Sequence, residues 1–279
     1  MINKVVVITG ASDGIGAAAA RQLHAKKATV VITGRSEQKT KSIAQELNVP
    51  YYLADFTKLD DVRKLAAQLR KDYPRIDVLA NNAGGIFGAI REVTVDGHEK
   101  TMQVNHLAHF LLTNLLVDIL VKSKATVINT SSIANNDGRH IDIADLDLKK
   151  KYSAMRAYGN SKLVNILFTK ELHKRYHSLG ISSAVFHPGT VSSNFGADST
   201  LFIRLCYSAP VKYLWGIIPP EKGADTLVWL ASSKPDKEWE SGGFYYKRKP
   251  AGRFITSKKS NDADLAALLW EKSEQMISK

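Results

Sequence analysis

A tyrosine and a lysine stand four residues apart at Tyr158 and Lys162, within AYGNSK. On a helix that spacing puts both side chains on one face. A free phenol has a pKa near about 10 and is a poor base at neutral pH. A neighbouring ammonium favours the phenolate and lowers that value. Such a pair can move a proton to or from an alcohol oxygen. Taken alone, the spacing is common on solvated helix surfaces, so its setting has to decide.

A second kind of chemistry is written near the start of the chain. The apolar run KVVVIT leads straight into TGASDGIG, with glycines at Gly10, Gly14 and Gly16. Glycine permits the tight turn and lets the backbone come close to a phosphate. A helix opening there turns its free N–H groups and positive dipole end toward a pyrophosphate. The spacing is G-x-x-x-G-x-G rather than G-x-G-x-x-G, yet strand, glycine turn and helix in succession point to a dinucleotide. Gly10, Ser12, Asp13, Gly14, Ile15 and Gly16 are the candidate contacts. After the next strand the chain reads Thr33-Gly34-Arg35-Ser36. A carboxylate at this place bonds the ribose 2′-hydroxyl of NAD, whereas an arginine suits the 2′-phosphate of NADP. No carboxylate is present, and Arg35 is a bidentate phosphate donor. The expected cofactor is therefore NADP(H), with Lys39 one turn on adding charge. Asp55 reads as an adenine contact, with Phe56 beside it.

Short β-branched runs alternate with longer amphipathic stretches. Strands are expected at 4–9, 29–33, 51–54, 76–80, 125–130, 181–186 and 243–246. Helices are expected from Ile15, up to about Leu47, and over 59–72, 98–121 and 157–178, the last stopped at Gly180. Near-continuous apolar strands joined by helices imply a parallel sheet covered on both faces. No linker or repeat divides the chain. The expected fold is α/β: a single Rossmann domain over residues 1–279, doubly wound.

With these motifs in order, the sequence resembles the short-chain dehydrogenase/reductase family. TGASDGIG matches its TGxxxGxG, Asn81-Asn82-Ala83-Gly84 its NNAG, and AYGNSK its YxxxK. Asn105 matches its helix asparagine, NTSSIAN its serine pair after the fifth strand, and His187-Pro188-Gly189-Thr190 its PG motif. The resemblance implies that Tyr158 is the general acid/base and that Lys162 lowers its pKa and holds the nicotinamide ribose. It implies that Ser132 rather than Ser131 bonds the substrate oxygen, and that Asn105 holds a water in a proton relay. Asn82, Ala83 and Gly84 would contact the cofactor, as would Pro188, Gly189 and Thr190 at the nicotinamide carboxamide. VNHLAHFLLT, the long interval from Ser132 to Tyr158, SKLVNILFTKEL and HPGTVSSNF are similar to the retinol dehydrogenase-like branch. Members of that branch often carry an N-terminal membrane anchor, while this chain starts at its first strand. The expectation is a relative acting on another carbonyl.

Hydride exchange with a carbonyl or alcohol carbon is the implied chemistry, the hydride residing on the cofactor. Residues 190–220 are expected to form a substrate lid. They include Phe195, Leu201, Phe202, Leu205, Tyr207, Leu214, Trp215, Ile217 and Ile218. Such a lid suits a hydrophobic aldehyde, ketone or alcohol; a core, a subunit interface or contact with a membrane surface stays open for the same residues. His106, His109 and His140 need no catalytic part, with His109 read as packing and His140 as a contact near the site's mouth.

Composition sets the outer limits. The chain has 279 residues, 44% hydrophobic and 24% charged, which excludes disorder. A lone Cys206 forms no internal disulfide, and no Cys/His cluster has metal spacing. Polar residues interrupt the apolar stretches at 110–121 and 201–218, so no integral membrane span is expected and a cytoplasmic location is. The formal charge of +12 raises nucleic acid as a partner. The basic residues are spread along the chain, and the cluster Lys247, Arg248, Lys249, Arg253, Lys258 and Lys259 has few interleaved aromatics. A solvated surface is the better reading, with a small-molecule substrate as partner and, as the family resemblance implies, a homo-oligomer. The rival is a non-catalytic NADP-binding sensor or scaffold on the same fold. An epimerase or dehydratase would need a larger C-terminal substrate domain.

Overall fold

The computed structural model describes residues 1–191 and 217–278. Its sheet is built from β1 (Val5–Ile8), β2 (Thr29–Gly34), β3 (Tyr51–Leu53), β4 (Val78–Asn81), β5 (Thr126–Thr130), β6 (Ser182–His187), β7 (Gly243–Tyr246) and β8 (Lys249–Pro250). The spatial order is β3-β2-β1-β4-β5-β6-β7-β8. Every pairing is parallel except the last, where Tyr246 faces Lys249 antiparallel. The winding direction reverses between β1 and β4. Loops leaving their carboxyl ends diverge there, and a crevice opens at that edge.

Strand residues alternate between two buried faces because successive side chains point to opposite sides. Val6, Ile8, Val30 and Ile32 pack under α1 (Gly14–Ala25), α2 (Glu37–Leu47) and the later helix Asp225–Ser232. Val7, Val31, Leu79 and Val127 pack under α3 (Leu59–Asp72) and the long helices that follow β4 and β5. The doubly wound α/β fold is thus as expected.

Three helical regions differ from the sequence reading. The expected helix over 98–121 is divided into α4 (Lys100–Met102), a π turn at Gln103–Leu107, α5 (Ala108–Leu115) and α6 (Val117–Ser123). The pair Lys100–Leu115 and Val117–Ser123 is bent by 65°. At the bend, Arg70 donates to the Leu115 carbonyl at 2.8 Å, so a carbonyl freed from the helix is satisfied from α3. Leu115-Leu116-Val117 is apolar across the bend and carries no sign of it. No single helix among the described residues is long and apolar enough to cross a membrane.

Helix α7 (Ala154–Tyr176) begins one turn's breadth before the expected start, because the Ser153 hydroxyl caps it by accepting from the Arg156 N–H. Short helices α8 (Pro220–Gly223) and α9 (Asp225–Ser232) precede β7. A C-terminal helix absent from the sequence reading, α10 (Ala263–Ile277), is capped by Asp262, which accepts from the Leu265 N–H at 2.9 Å. Its Trp270 ring meets Phe110 of α5 edge-on at 4.9 Å and Phe168 of α7 at 5.7 Å. This aromatic contact clamps the C-terminus over the helices that carry the site. Phe110 is fully buried. Phe110→Ala should cost about 3–5 kcal/mol in urea unfolding, and a loss below about 1 kcal/mol would contradict this packing.

Candidate active site

The crevice at the switch point is a cleft of about 650 Å³. Its first half follows from β1. Gly10 has φ +65°, a left-handed conformation that glycine adopts without strain. A Cβ on Gly16 would lie 2.7 Å from the Asn82 Nδ2 and 2.9 Å from the Ala11 Cα, so only a bare backbone fits. Asp13 is extended and caps α1, its carboxylate accepting from the Gly14 N–H at 2.7 Å. The Thr9 hydroxyl accepts from the N–H groups of Asn82 and Ala83 at 2.9 and 3.0 Å, and Asn82 Nδ2 donates to the Thr9 carbonyl at 3.0 Å. These bonds lock the turn after β4 against the glycine turn. The result is a cradle of close-packed backbone at a helix N-terminus, which fits a dinucleotide pyrophosphate.

Gly10, Ser12, Asp13, Gly14, Ile15, Gly16, Arg35, Asp55, Phe56, Asn82, Ala83 and Gly84 all border the cleft. Arg35 is exposed at the end of β2. Lys39 also borders the cleft, and its ammonium pairs with Asp13 at 2.9 Å. Asp55 holds its own loop, accepting from the Thr57 N–H at 3.0 Å and the Thr57 hydroxyl at 2.8 Å.

The second half is carried by β5, β6 and α7. Tyr158 and Lys162 share the face of α7 that floors the cleft. Lys162 is only 2% exposed; its Nζ donates to the Thr130 carbonyl at 3.2 Å and lies 5.4 Å from the Tyr158 ring centre. Burial pushes its pKa down to about 7. Tyr158 is packed among Ile86, Ala134 and Ala154. Ser132 borders the cleft and opens the 3-10 turn Ile133–His140, its Oγ accepting from the Ala134 N–H at 3.3 Å. The Ser131 hydroxyl is turned to the protein instead, donating to the Lys162 carbonyl at 2.8 Å. Pro188, Gly189 and Thr190 border the cleft after β6, with Gly189 at φ +89°.

Asn105 lies elsewhere than in the cleft. It is buried beneath Gly84 and Gly85, its Oδ1 accepting from the Gly85 N–H at 2.9 Å. Its Nδ2 donates to the Gly85 carbonyl at 2.9 Å and to the Ser161 hydroxyl at 3.0 Å. The Asn105 carbonyl accepts from Asn165 Nδ2 at 3.0 Å and faces His109 Nδ1 at 3.2 Å. His140 is exposed and does not border the cleft.

Apolar residues that sequence reasoning missed also line the cleft: Ile86, Phe87, Val104, Ile133, Met155 and Val191. Ile86 and Phe87 follow the NNAG motif directly, a usable signal. Val104 and Met155 come to the cleft only through the fold. Of the expected lid, the Ile218 N–H donates to the Thr190 carbonyl at 2.8 Å. Phe195, Leu201, Phe202, Leu205, Tyr207, Leu214 and Trp215 lie outside the described residues.

Residues 4–201 match the family model described as short chain dehydrogenase. The chain belongs to that family. It is 40% identical to a Streptomyces sp. (strain C5) protein provisionally named a daunorubicin C-13 ketoreductase, over 98% of this chain and 92% of that one. It is 36% identical to retinol dehydrogenase 12 of Mus musculus, over 98% and 86%. A crystal structure of an uncharacterized Mycobacterium paratuberculosis protein is 32% identical, covers 100% of this chain and 94% of its own, and superposes with a TM-score of 0.78. As a short-chain dehydrogenase of the retinol dehydrogenase-like branch, the chain is an oxidoreductase that exchanges hydride with a nicotinamide cofactor.

Two histidines behind the cleft are fully buried. Burial holds His106 down to about 4 and His109 down to about 3. In the unfolded chain both titrate near about 6.5. Between those values the unfolded state binds protons that the native state does not, so stability falls as pH drops from about 6.5 toward 4. The urea midpoint should be lower at pH 5 than at pH 7, with a smaller difference in His106→Gln. Equal midpoints in the wild type would contradict this burial.

Proposed function

We propose that the chain is an NADP(H)-dependent oxidoreductase acting on a hydrophobic aldehyde, ketone or alcohol. The observation that carries this reading is one cleft bordered by Arg35 at one end and by the buried Tyr158–Lys162 pair, under apolar walls, at the other. The names of two relatives, for retinol and for a ketone of daunorubicin, support the substrate class.

In the direction of reduction, the nicotinamide supplies the hydride. Tyr158 Oη gives its proton to the substrate oxygen as charge develops there. The Lys162 ammonium stabilises the phenolate left behind, and the poor solvation of both groups strengthens that attraction. The Ser132 hydroxyl holds the substrate oxygen against Tyr158. Asn105 acts from behind, fixing Gly85 and the turn that backs the nicotinamide. Arg35 and Lys39 take the 2′-phosphate, while Asp55 and Phe56 border the adenine.

Cofactor choice is the most direct test of the adenosine end. Fluorescence titration should show NADPH binding more tightly than NADH. Arg35→Ala should weaken NADPH about 10- to 100-fold while changing NADH little, since a charge-assisted contact is lost only with the former. Equal affinities in the wild type would contradict the NADP assignment. Tight NADPH binding with no turnover across a panel of hydrophobic aldehydes and ketones would favour the non-catalytic sensor.

A further inference from the structure

The turn that carries Ser132 continues into a second asparagine that borders no cleft. Asn135 is 0% exposed. Its Nδ2 donates to the Ser132 carbonyl at 2.7 Å and to the Ile255 carbonyl at 2.7 Å. Its Oδ1 accepts from the Ser257 N–H at 2.7 Å. Both amide hydrogens are therefore committed. The amide orientation is unambiguous, since a flipped group would aim its oxygen at two carbonyls. The neighbouring Asn136 adds a bond of 3.2 Å to the Phe254 carbonyl.

The opposite side of the same turn rests on α7. A Cβ on Gly159, the residue after Tyr158, would lie 2.7 Å from the Ala134 carbonyl oxygen and from the Asp137 Cβ. A Cβ on Gly138 would lie 2.9 Å from the Gly159 carbonyl oxygen. The Ser132 turn is thus held between the helix bearing Tyr158 and the C-terminal segment at 255–257.

We propose that Asn135 is a positioning residue for Ser132, and that through it the segment at 255–257 sets how closely the Ser132 hydroxyl stands to Tyr158. The proposal rests on the reading of Ser132 as the group that orients the substrate oxygen. No other side chain of this size does the same work. Aspartate would set a carboxylate against two carbonyl oxygens. An apolar residue would leave the Ile255 carbonyl and the Ser257 N–H buried without partners. Asn135 touches neither substrate nor cofactor, so its effect should appear in kcat and not in cofactor binding.

The test compares wild type, Asn135→Ala, Ser257→Pro, Ser132→Ala and the double variant Ser132→Ala/Asn135→Ala. Ser257 has φ −60°, which proline adopts, so Ser257→Pro removes one N–H donor and guards against an unfolded Asn135→Ala. With the best carbonyl substrate of a hydrophobic panel, kcat should fall about 10- to 100-fold in Asn135→Ala and less in Ser257→Pro. The KM for NADPH should stay unchanged. Once Ser132 is gone, removing Asn135 should cost less than about twofold more. An unchanged kcat, or an equal loss with and without Ser132, would overturn the proposal. A wild type without turnover would instead sink the catalytic reading of the cleft. Hydrogen exchange then decides for the clamp: the amides of 131–136 should exchange faster in both Asn135→Ala and Ser257→Pro, and unchanged exchange would overturn it.

Discussion

The burial of Lys162 is the constraint around which the rest is arranged. An ammonium removed from water is costly unless acceptors replace the lost solvent. The Thr130 carbonyl serves as acceptor to both Lys162 Nζ and Asn165 Nδ2, the latter at 3.1 Å. Asn165 Oδ1 faces His106 Nδ1 at 3.2 Å, and His106 Nε2 faces the Ser273 hydroxyl of α10 at 2.9 Å. A polar seam therefore runs from the cleft floor to the C-terminal helix through an otherwise apolar core. Its members are neutral except for the lysine, in keeping with the depressed pKa of His106. A half-satisfied seam would be worse than an apolar core, which is why so many of its side chains have more than one partner.

The other half of the cleft depends on backbone rather than on side-chain charge. Gly10 and Gly16 clear the space, and Thr9 ties the two turns that border it. The two halves are joined at Gly84 and Gly85, where Asn105 is packed from behind. A Cβ on Gly84 would lie 2.8 Å from Asn105 Oδ1 and 3.6 Å from Lys162 Nζ. Glycine there lets the turn close onto Asn105. The division is physical: one half of the cleft is shaped by rigid backbone, the other by side chains of α7 and the Ser132 turn.

Much of this was legible in the chain because it is local. The strand-to-glycine-turn-to-helix succession at 4–16 and the i,i+4 pair Tyr158–Lys162 are short-range patterns, and each lies in the cleft. Leu59–Asp72 and Gly243–Tyr246 have the bounds that periodicity indicates. What escaped is set by distant partners. The bend after Leu115 is satisfied by Arg70 from another helix, and the apolar run Leu115-Leu116-Val117 conceals it. The placement of Asn105 behind Gly85 and the Asn135 bonds to residues 255 and 257 join parts of the chain that no sequence period relates. The C-terminal helix is a different case. Asp262 as cap and the apolar spacing of Ala266, Leu269, Trp270 and Met276 are local signals that a helix follows β8.

The central claim is that Tyr158, poised beside a buried Lys162, moves the proton that accompanies hydride transfer. Single-turnover oxidation of bound NADPH by a hydrophobic aldehyde, wild type against Tyr158→Phe, tests it most directly, with nucleotide affinity measured beside it. The account predicts that Tyr158→Phe binds NADPH as the wild type does and transfers hydride about 10²- to 10⁴-fold more slowly. Hydride transfer at the wild-type rate in Tyr158→Phe would contradict it.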